Sequence, residues 1–314
     1  MKMNILNKPA DKKNVQRIFF SLLTTILILT GTCCKAQLNP YQAIYFQNRY
    51  LNNPAMAGLE QGLNINLGYM QQWSSFPGAP KSQSLTTEYQ PTDKVGMGLN
   101  INDEQSGIFR QTRVMGTYAY HLPLSDQNQK LNFGISLGLN DSRINYNNIN
   151  GDVSDIELQR YNQAKPYVDG DLGFSYTSNS LFIEGVFPDL KASLFNSSGQ
   201  RIDVDRTVFM AAASYKFDVS NETGAFSLEP LAAYRQIKGF TSIFDAGLNF
   251  KMNNYHLDLQ SIYHSNDSFG LGVVLDEDTY AINFAYNLET GKINVYTYGA
   301  FELGIKLKLL RKRL

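Results

Sequence analysis

The side chains of this sequence best suited to acid–base or metal chemistry are three histidines, His121, His256 and His264. His256 and His264 fall eight positions apart on one predicted strand, too far to share a metal ion. His121 closes another predicted strand beside Leu122 and Pro123. A hydrolytic histidine needs a serine at hand and an acid to orient it. Ser261 and Ser265 are near His264 in sequence, but strand geometry turns adjacent residues to opposite faces, and no acidic orienter stands out. Asp276-Glu277-Asp278-Thr279 reads as a solvated turn; calcium is the ion such a turn would take. Asp169 and Asp171 share one face of a predicted strand. The glycines of 270–274, GLGVV, lie inside a strand pattern and make no phosphate loop. These residues predict no enzyme, no metal site and no cofactor.

Both cysteines, Cys33 and Cys34, lie in a distinctive first segment. A basic stretch, an apolar run IFFSLLTTILILTGT and then Cys34-Lys35-Ala36 follow the order of a secretory signal, with cutting before Gln37. The alternatives are acylation of Cys33 or Cys34 in a lipoprotein, and an uncleaved membrane anchor. A chain cut after Ala36 has no cysteine, hence neither disulfide nor thiolate.

The elements that position everything else are strands. In residues 301–309, FELGIKLKL, the residues Phe301, Leu303, Ile305, Leu307 and Leu309 share one side, and Glu302, Gly304, Lys306 and Lys308 the other. The same period of two recurs in KLNFGISLGLN, VGMGLNIN and TYAINFAYNLE. The pattern predicts strands near 62–73, 81–90, 94–103, 109–121, 130–142, 167–177, 180–187, 206–218, 224–236, 241–251, 255–264, 268–276, 279–289 and 299–309. No segment after the first 36 residues shows a helical period. About fourteen strands, each near the roughly 9–11 residues of a tilted membrane strand, suit an up-and-down barrel. The connections mostly alternate short and long, with the longest at 143–165 and 188–204. That places the long ones on one rim, expected to face the cell surface, and both termini on the other, periplasmic rim.

Composition separates lipid from a soluble core. Formal net charge is zero and mean hydropathy is −0.28, so there is no bulk electrostatic case for nucleic acid. The face opposite the apolar one carries Gly, Asn, Ser and Ala rather than the charges of a water-facing sheet. Tyr69, Tyr89, Tyr118, Tyr120, Tyr176, Tyr255, Tyr263, Tyr280 and Tyr286 fall near strand ends, where an aromatic girdle would be. Trp73 sits where an interface aromatic would sit. A soluble all-β sandwich is the alternative. In the barrel, Glu229, Arg235 and Asp258 should also face inward, either pairing to fill the lumen or lining a polar path. The basic tail, with Arg311, Lys312 and Arg313, would be periplasmic. The expected division is a signal peptide at 1–36, an N-terminal periplasmic or plug segment at 37–61 and an outer-membrane barrel at 62–314.

Residues 39–90 also open a resemblance, one that runs from about residue 38 to the end and is clearest in the first third. Asn53-Pro54-Ala55 with Ala57-Gly58, then Gln72-Trp73, then Gly78-Ala79-Pro80-Lys81, then Val95-Gly96 with Gly98, and the closing FELGIKLKL, occur in an order and spacing that resembles the PorP/SprF family of Bacteroidetes. Members are outer-membrane proteins linked to type IX secretion and gliding motility. The resemblance implies a barrel of about fourteen strands and no enzyme activity. It implies partners instead: subunits of the secretion machinery, or a large secreted surface protein that the barrel docks, exports or anchors. Asn53, Pro54, Ala55, Gly58, Trp73, Gly78, Ala79, Pro80 and Lys81 are then structural motif residues or an interface. A channel or transporter for a small solute is the other reading, and the state of the lumen discriminates: a filled one favours docking, a continuous water path favours transport.

Overall fold

The computed structural model describes residues 44–73, 78–125, 128–145, 161–191, 207–219, 225–238, 241–289 and 299–311. The expected signal peptide, Cys33, Cys34, Lys312, Arg313 and most of the two longest links lie outside the described residues. No described helix is long and apolar enough to cross a membrane.

Fourteen antiparallel strands follow one another in chain order. They are β1 (Leu63–Gln72), β2 (Lys81–Thr92), β3 (Val95–Ser106), β4 (Phe109–Pro123), β5 (Lys130–Ile144), β6 (Tyr167–Thr177) and β7 (Leu181–Phe187). Next come β8 (Thr207–Tyr215), β9 (Phe226–Ile237), β10 (Ile243–Met252), β11 (Leu257–His264), β12 (Ser268–Asp276), β13 (Tyr280–Glu289) and β14 (Ala300–Leu309). The predicted strands are all present, with ends shifted by a few residues. The last pairs with the first, from Leu63↔Leu309 to Gln72↔Ala300, so the sheet closes and no edge is left in lipid.

The apolar face points outward on every part of the wall. Leu303, Ile305, Leu307 and Leu309 of β14 are exposed, while Glu302 and Lys306 are buried. Leu137 of β5 is 65% exposed, and its neighbour Ser136 is buried. A water-soluble protein of this size would hide such residues; here the hydrocarbon of a membrane takes them. Tyr89, Tyr118, Tyr120, Tyr255, Tyr263, Tyr280 and Tyr286 are exposed near the strand ends, as a girdle requires.

Two local departures have local causes. The strand expected over 206–218 is interrupted at Lys216, after which only Phe217–Asp218 pairs with β9. Pro230 of β9 stands beside the break, between the stretch that pairs with Phe217–Asp218 and the stretch that pairs with β8, and proline has no N–H for the ladder. The strand expected from 255 begins at Leu257, because Asn253–Tyr255 form a 3-10 turn that ends at His256 in a left-handed conformation, φ 53°. His256 is therefore exposed at the rim and does not share a strand with His264.

Candidate functional site

The inward faces are closed over along the whole ring. Asn64, Thr86, Asn100, Thr117, Ser136, Asp169, Glu184, Ser214, Asp245, Gln260, Asn283 and Glu302, drawn from β1 to β14, are all buried. The end of the barrel nearer the tight turns is occupied by residues 44–60. They form a single helical turn, Ile44–Gln47, and two 3-10 turns, Arg49–Leu51 and Pro54–Met56.

Asn53-Pro54 shows why the segment bends there. The Asn53 side-chain oxygen accepts the Ala55 N–H at 2.9 Å, and Pro54 takes the first position of the turn, where no N–H is needed. The Asn53 amide is then free to donate to Glu184 of β7 at 2.7 Å. Tyr45 donates to the other oxygen of the same carboxylate. Asn48 donates to Thr86 of β2 at 2.9 Å, and Tyr50 to Thr117 of β4 at 2.8 Å. Arg49 pairs with Glu229 of β9 and lies 3.9 Å over the ring of Phe182. The wall also holds the backbone of this segment. Asn100 donates to the Leu51 carbonyl at 3.0 Å, His121 to the Ala57 carbonyl at 3.1 Å, and the Gly58 N–H reaches Glu88 at 3.0 Å.

Glycines on the wall make the fit. A Cβ on Gly98 would stand 2.3 Å from the Tyr50 hydroxyl; one on Gly134 would stand 2.2 Å from the Pro54 backbone; one on Gly173 would stand 2.1 Å from the Asn53 side-chain oxygen. All three distances are well inside van der Waals contact. Gly58 has φ +70° and faces Gly96, so both positions need the missing side chain. Glu60 closes the segment against Lys306 of β14 and Arg311. Burial opposes the Glu60 carboxylate, yet Lys306, Arg311 and Lys308 outweigh it and hold its pKa below the ordinary glutamate value.

The opposite end, where the long links are, is filled by charged side chains. Arg113 pairs with Asp171 and, at 3.4 Å, with Asp189. Arg235 grips Asp245 through two bonds of 2.7 and 2.8 Å, and His264 lies 2.6 Å from the same carboxylate. The acidic orienter absent from the sequence reading is thus Asp245, 19 residues from His264 in sequence but directly opposite it across β10 and β11. Among the described residues no serine is bonded to the other nitrogen of that histidine, Ser268 directly opposite it on β12 included. Ser261 sits on the other face, Ser265 accepts the Phe244 N–H, and Nε2 of His264 has no hydrogen-bonding partner. The 276–279 cluster is not merely a solvated turn, since Asp276 pairs with Lys251 and Lys308. Among the described residues no cluster could hold a metal ion.

The nine motif residues fall in two places. Asn53, Pro54, Ala55 and Gly58 lie inside the first end. Trp73, Gly78, Ala79 and Pro80 in the link between β1 and β2, with Lys81 as the first residue of β2, lie at the other, about 25 Å away along the wall. There Gly78, with φ +75°, offers its carbonyl to the Gly107 N–H at 2.9 Å, and the Pro80 carbonyl accepts from Gln72. Trp73 is not an interface aromatic turned toward lipid. Its φ of 47° turns the indole inward, and its N–H donates to Glu289, a buried lumen residue of β13, at 3.3 Å.

The family model described as type IX secretion system membrane protein PorP/SprF matches residues 34–307. No curated protein matches the chain. Among solved structures, the outer membrane protein Omp33 of Acinetobacter baumannii is 9% identical, covering 80% of this chain and 100% of its own, with a TM-score of 0.49. The toluene transporter TbuX of Ralstonia pickettii is 11% identical, covering 82% and 91%, with a TM-score of 0.48. The KdgM porin is 7% identical, covering 78% and 99%, with a TM-score of 0.39. The chain belongs to the PorP/SprF family of type IX secretion membrane proteins, and its fold is that of an outer-membrane barrel.

Proposed function

We propose that this PorP/SprF family barrel is a non-enzymatic docking partner in type IX secretion, one that binds a machinery subunit or a secreted surface protein through its two ends. Residues 37–61, of which 37–43 lie outside the described residues, act as an N-terminal plug segment, both termini face the periplasm, and the long-link rim faces the cell surface. The observation that carries this reading is the filled lumen. Inward residues are buried from β1 round to β14, and the segment 44–60 is bonded to walls on opposite sides of the ring. A barrel that serves as a solute channel keeps a wetted interior. This one spends its interior on packing, which leaves the rims as its working surfaces.

Affinity purification from gently solubilised outer membranes, with mass spectrometry, tests it. Secretion-machine subunits, or one large surface protein, are expected in near-stoichiometric amounts. A barrel recovered alone, together with steady conductance in planar bilayers, would overturn docking in favour of a solute pore.

A further inference from the structure

The mouth at the long-link end contains an arrangement whose hydrogen-bonding capacity the packing of the barrel leaves partly unused. Asp245, His264, Ser268 and Glu289 occupy directly opposed positions on the adjacent strands β10, β11, β12 and β13. All four are buried and face the lumen. Asp245 holds Nδ1 of His264 at 2.6 Å from the β10 side, and Ser268 and Glu289 follow at the opposed positions of the next two strands. That nitrogen, Nε2, has no partner. Glu289 accepts the Trp73 indole N–H on one oxygen, and its other oxygen, Oε2, also has no partner. No Lys or Arg of the described residues forms an ion pair with Glu289. The indole spans β14 to reach Glu289, passing a strand whose inward residue there is the small Ala300. A buried carboxylate with an open oxygen, an imidazole with an open nitrogen and a partly exposed indole face have one ligand chemistry in common. Each is satisfied by a positively charged nitrogen donor, the ring by cation–π attraction.

We propose that Trp73, Glu289 and His264 form a capture site for a basic side chain, a lysine or arginine, presented at the long-link mouth by the docked polypeptide. The assignment of that side chain to a docked protein rests on the docking function above; the cation site itself does not. The Glu289 carboxylate receives two guanidinium or ammonium N–H bonds, His264 Nε2 accepts a third, and the indole moves from capping Glu289 to stacking on the cation. Discrimination against neutral side chains follows, because an uncharged guest leaves the buried carboxylate uncompensated.

Trp73 is the one tryptophan of the chain, so its fluorescence reports on this site alone. The experiment titrates the detergent-solubilised full chain with L-argininamide, and separately with its uncharged isostere L-citrullinamide and with calcium chloride at matched ionic strength. The expected result is a saturable change in emission with argininamide and none with the other two. Glu289→Gln should weaken it by at least roughly tenfold. Glu289→Asp, which keeps the charge, should retain it within a few-fold, and both variants are checked for the folded, heat-modifiable band on gels. No saturable response, an equal response to citrullinamide or calcium, or an unchanged affinity in folded Glu289→Gln would each overturn the site. Pull-down separates the two readings. A barrel recovered alone whose Trp73 still binds argininamide removes the docking function and leaves the cation site. A recovered partner with a silent Trp73 does the reverse.

Discussion

Gly134→Ala adds one carbon at the point where the wall of the barrel and its filling are closest. The new Cβ would stand 2.2 Å from the Pro54 carbonyl carbon and 2.3 Å from the Ala55 nitrogen. Ordinary contact begins near 3.4 Å, so the two backbones must part by about 1 Å. Both are backbone atoms, and no side-chain rotation relieves the overlap. Overpacking of this kind costs about 1–3 kcal/mol. The β5 ladder is bonded on both sides over this stretch, to β4 and β6, whereas residues 53–57 are held by a few bonds to side chains. The strain therefore falls on the internal segment. At about 1.4 kcal/mol per tenfold, the population with that segment lifted from the wall rises between about fivefold and 150-fold. Ala55 is fully buried, and a chain starting at Gln37 has no cysteine, so Ala55→Cys provides a reporter. Its reaction with a water-soluble maleimide should be slow when Gly134 is kept, and faster by that factor when Gly134→Ala is added. A rate unchanged within twofold, in protein that is still folded, would refute the idea that the glycines fit the wall to the segment.

Other perturbations test other parts of the architecture. Asp245→Ala should cost about 3–5 kcal/mol, because it leaves Arg235 and His264 buried without their shared acid, and replacing Arg235 and Asp245 together by Met and Leu should recover part of the urea midpoint. Leu137→Arg should cost about 2–4 kcal/mol of insertion stability if this face meets the mid-bilayer, and almost nothing if it meets water; urea titration in lipid vesicles decides. For Glu60, whose folded pKa is lowered, the stabilisation is complete above the unfolded glutamate value and is lost as pH falls through the lowered one. Protease cleavage near 58–62 should therefore increase on acidification below the ordinary glutamate value, and Glu60→Gln should flatten that dependence at an already raised rate. Deleting residues 44–60 should give a barrel that still folds and conducts ions in planar bilayers, and a folded deletion that stays electrically silent would mean that the wall charges close the lumen alone.

The outer surface was readable from the sequence because it is a local property. Period-two alternation needs only adjacent residues, so Leu303, Ile305 and Leu307 announce their face without knowledge of any partner strand. Strand number, closure order and the long-link rim follow from counting. The interior was not readable in the same way. Asn53 meets Glu184 across 131 positions, and Asp245 meets His264 only because β10 and β11 register as they do. Gly98, Gly134 and Gly173 look like small strand residues until Tyr50, Pro54 and Asn53 are placed against them. Trp73 misled for a related reason. A tryptophan at a strand end belongs at a membrane interface by default, and the left-handed turn that sends it into the lumen has no signature in the neighbouring residues.

The two groups of motif residues do different physical work, and that bears on the docking role proposed above. Asn53, Pro54, Ala55 and Gly58 are satisfied entirely from within: turn cap, ring, methyl and hydrogen each meet the wall of the same chain. Residues so placed are constrained by the barrel and indifferent to what docks on it. Trp73 gives its indole N–H to Glu289, and it is that carboxylate which retains an open oxygen. The links after β5 and β7, the longest of the chain, rise from the same rim. A rigid, sealed interior below and an incompletely satisfied mouth above is the arrangement expected of a platform: the filling removes the freedom of the wall to deform, so that free energy of contact at the mouth is not lost in ordering the barrel.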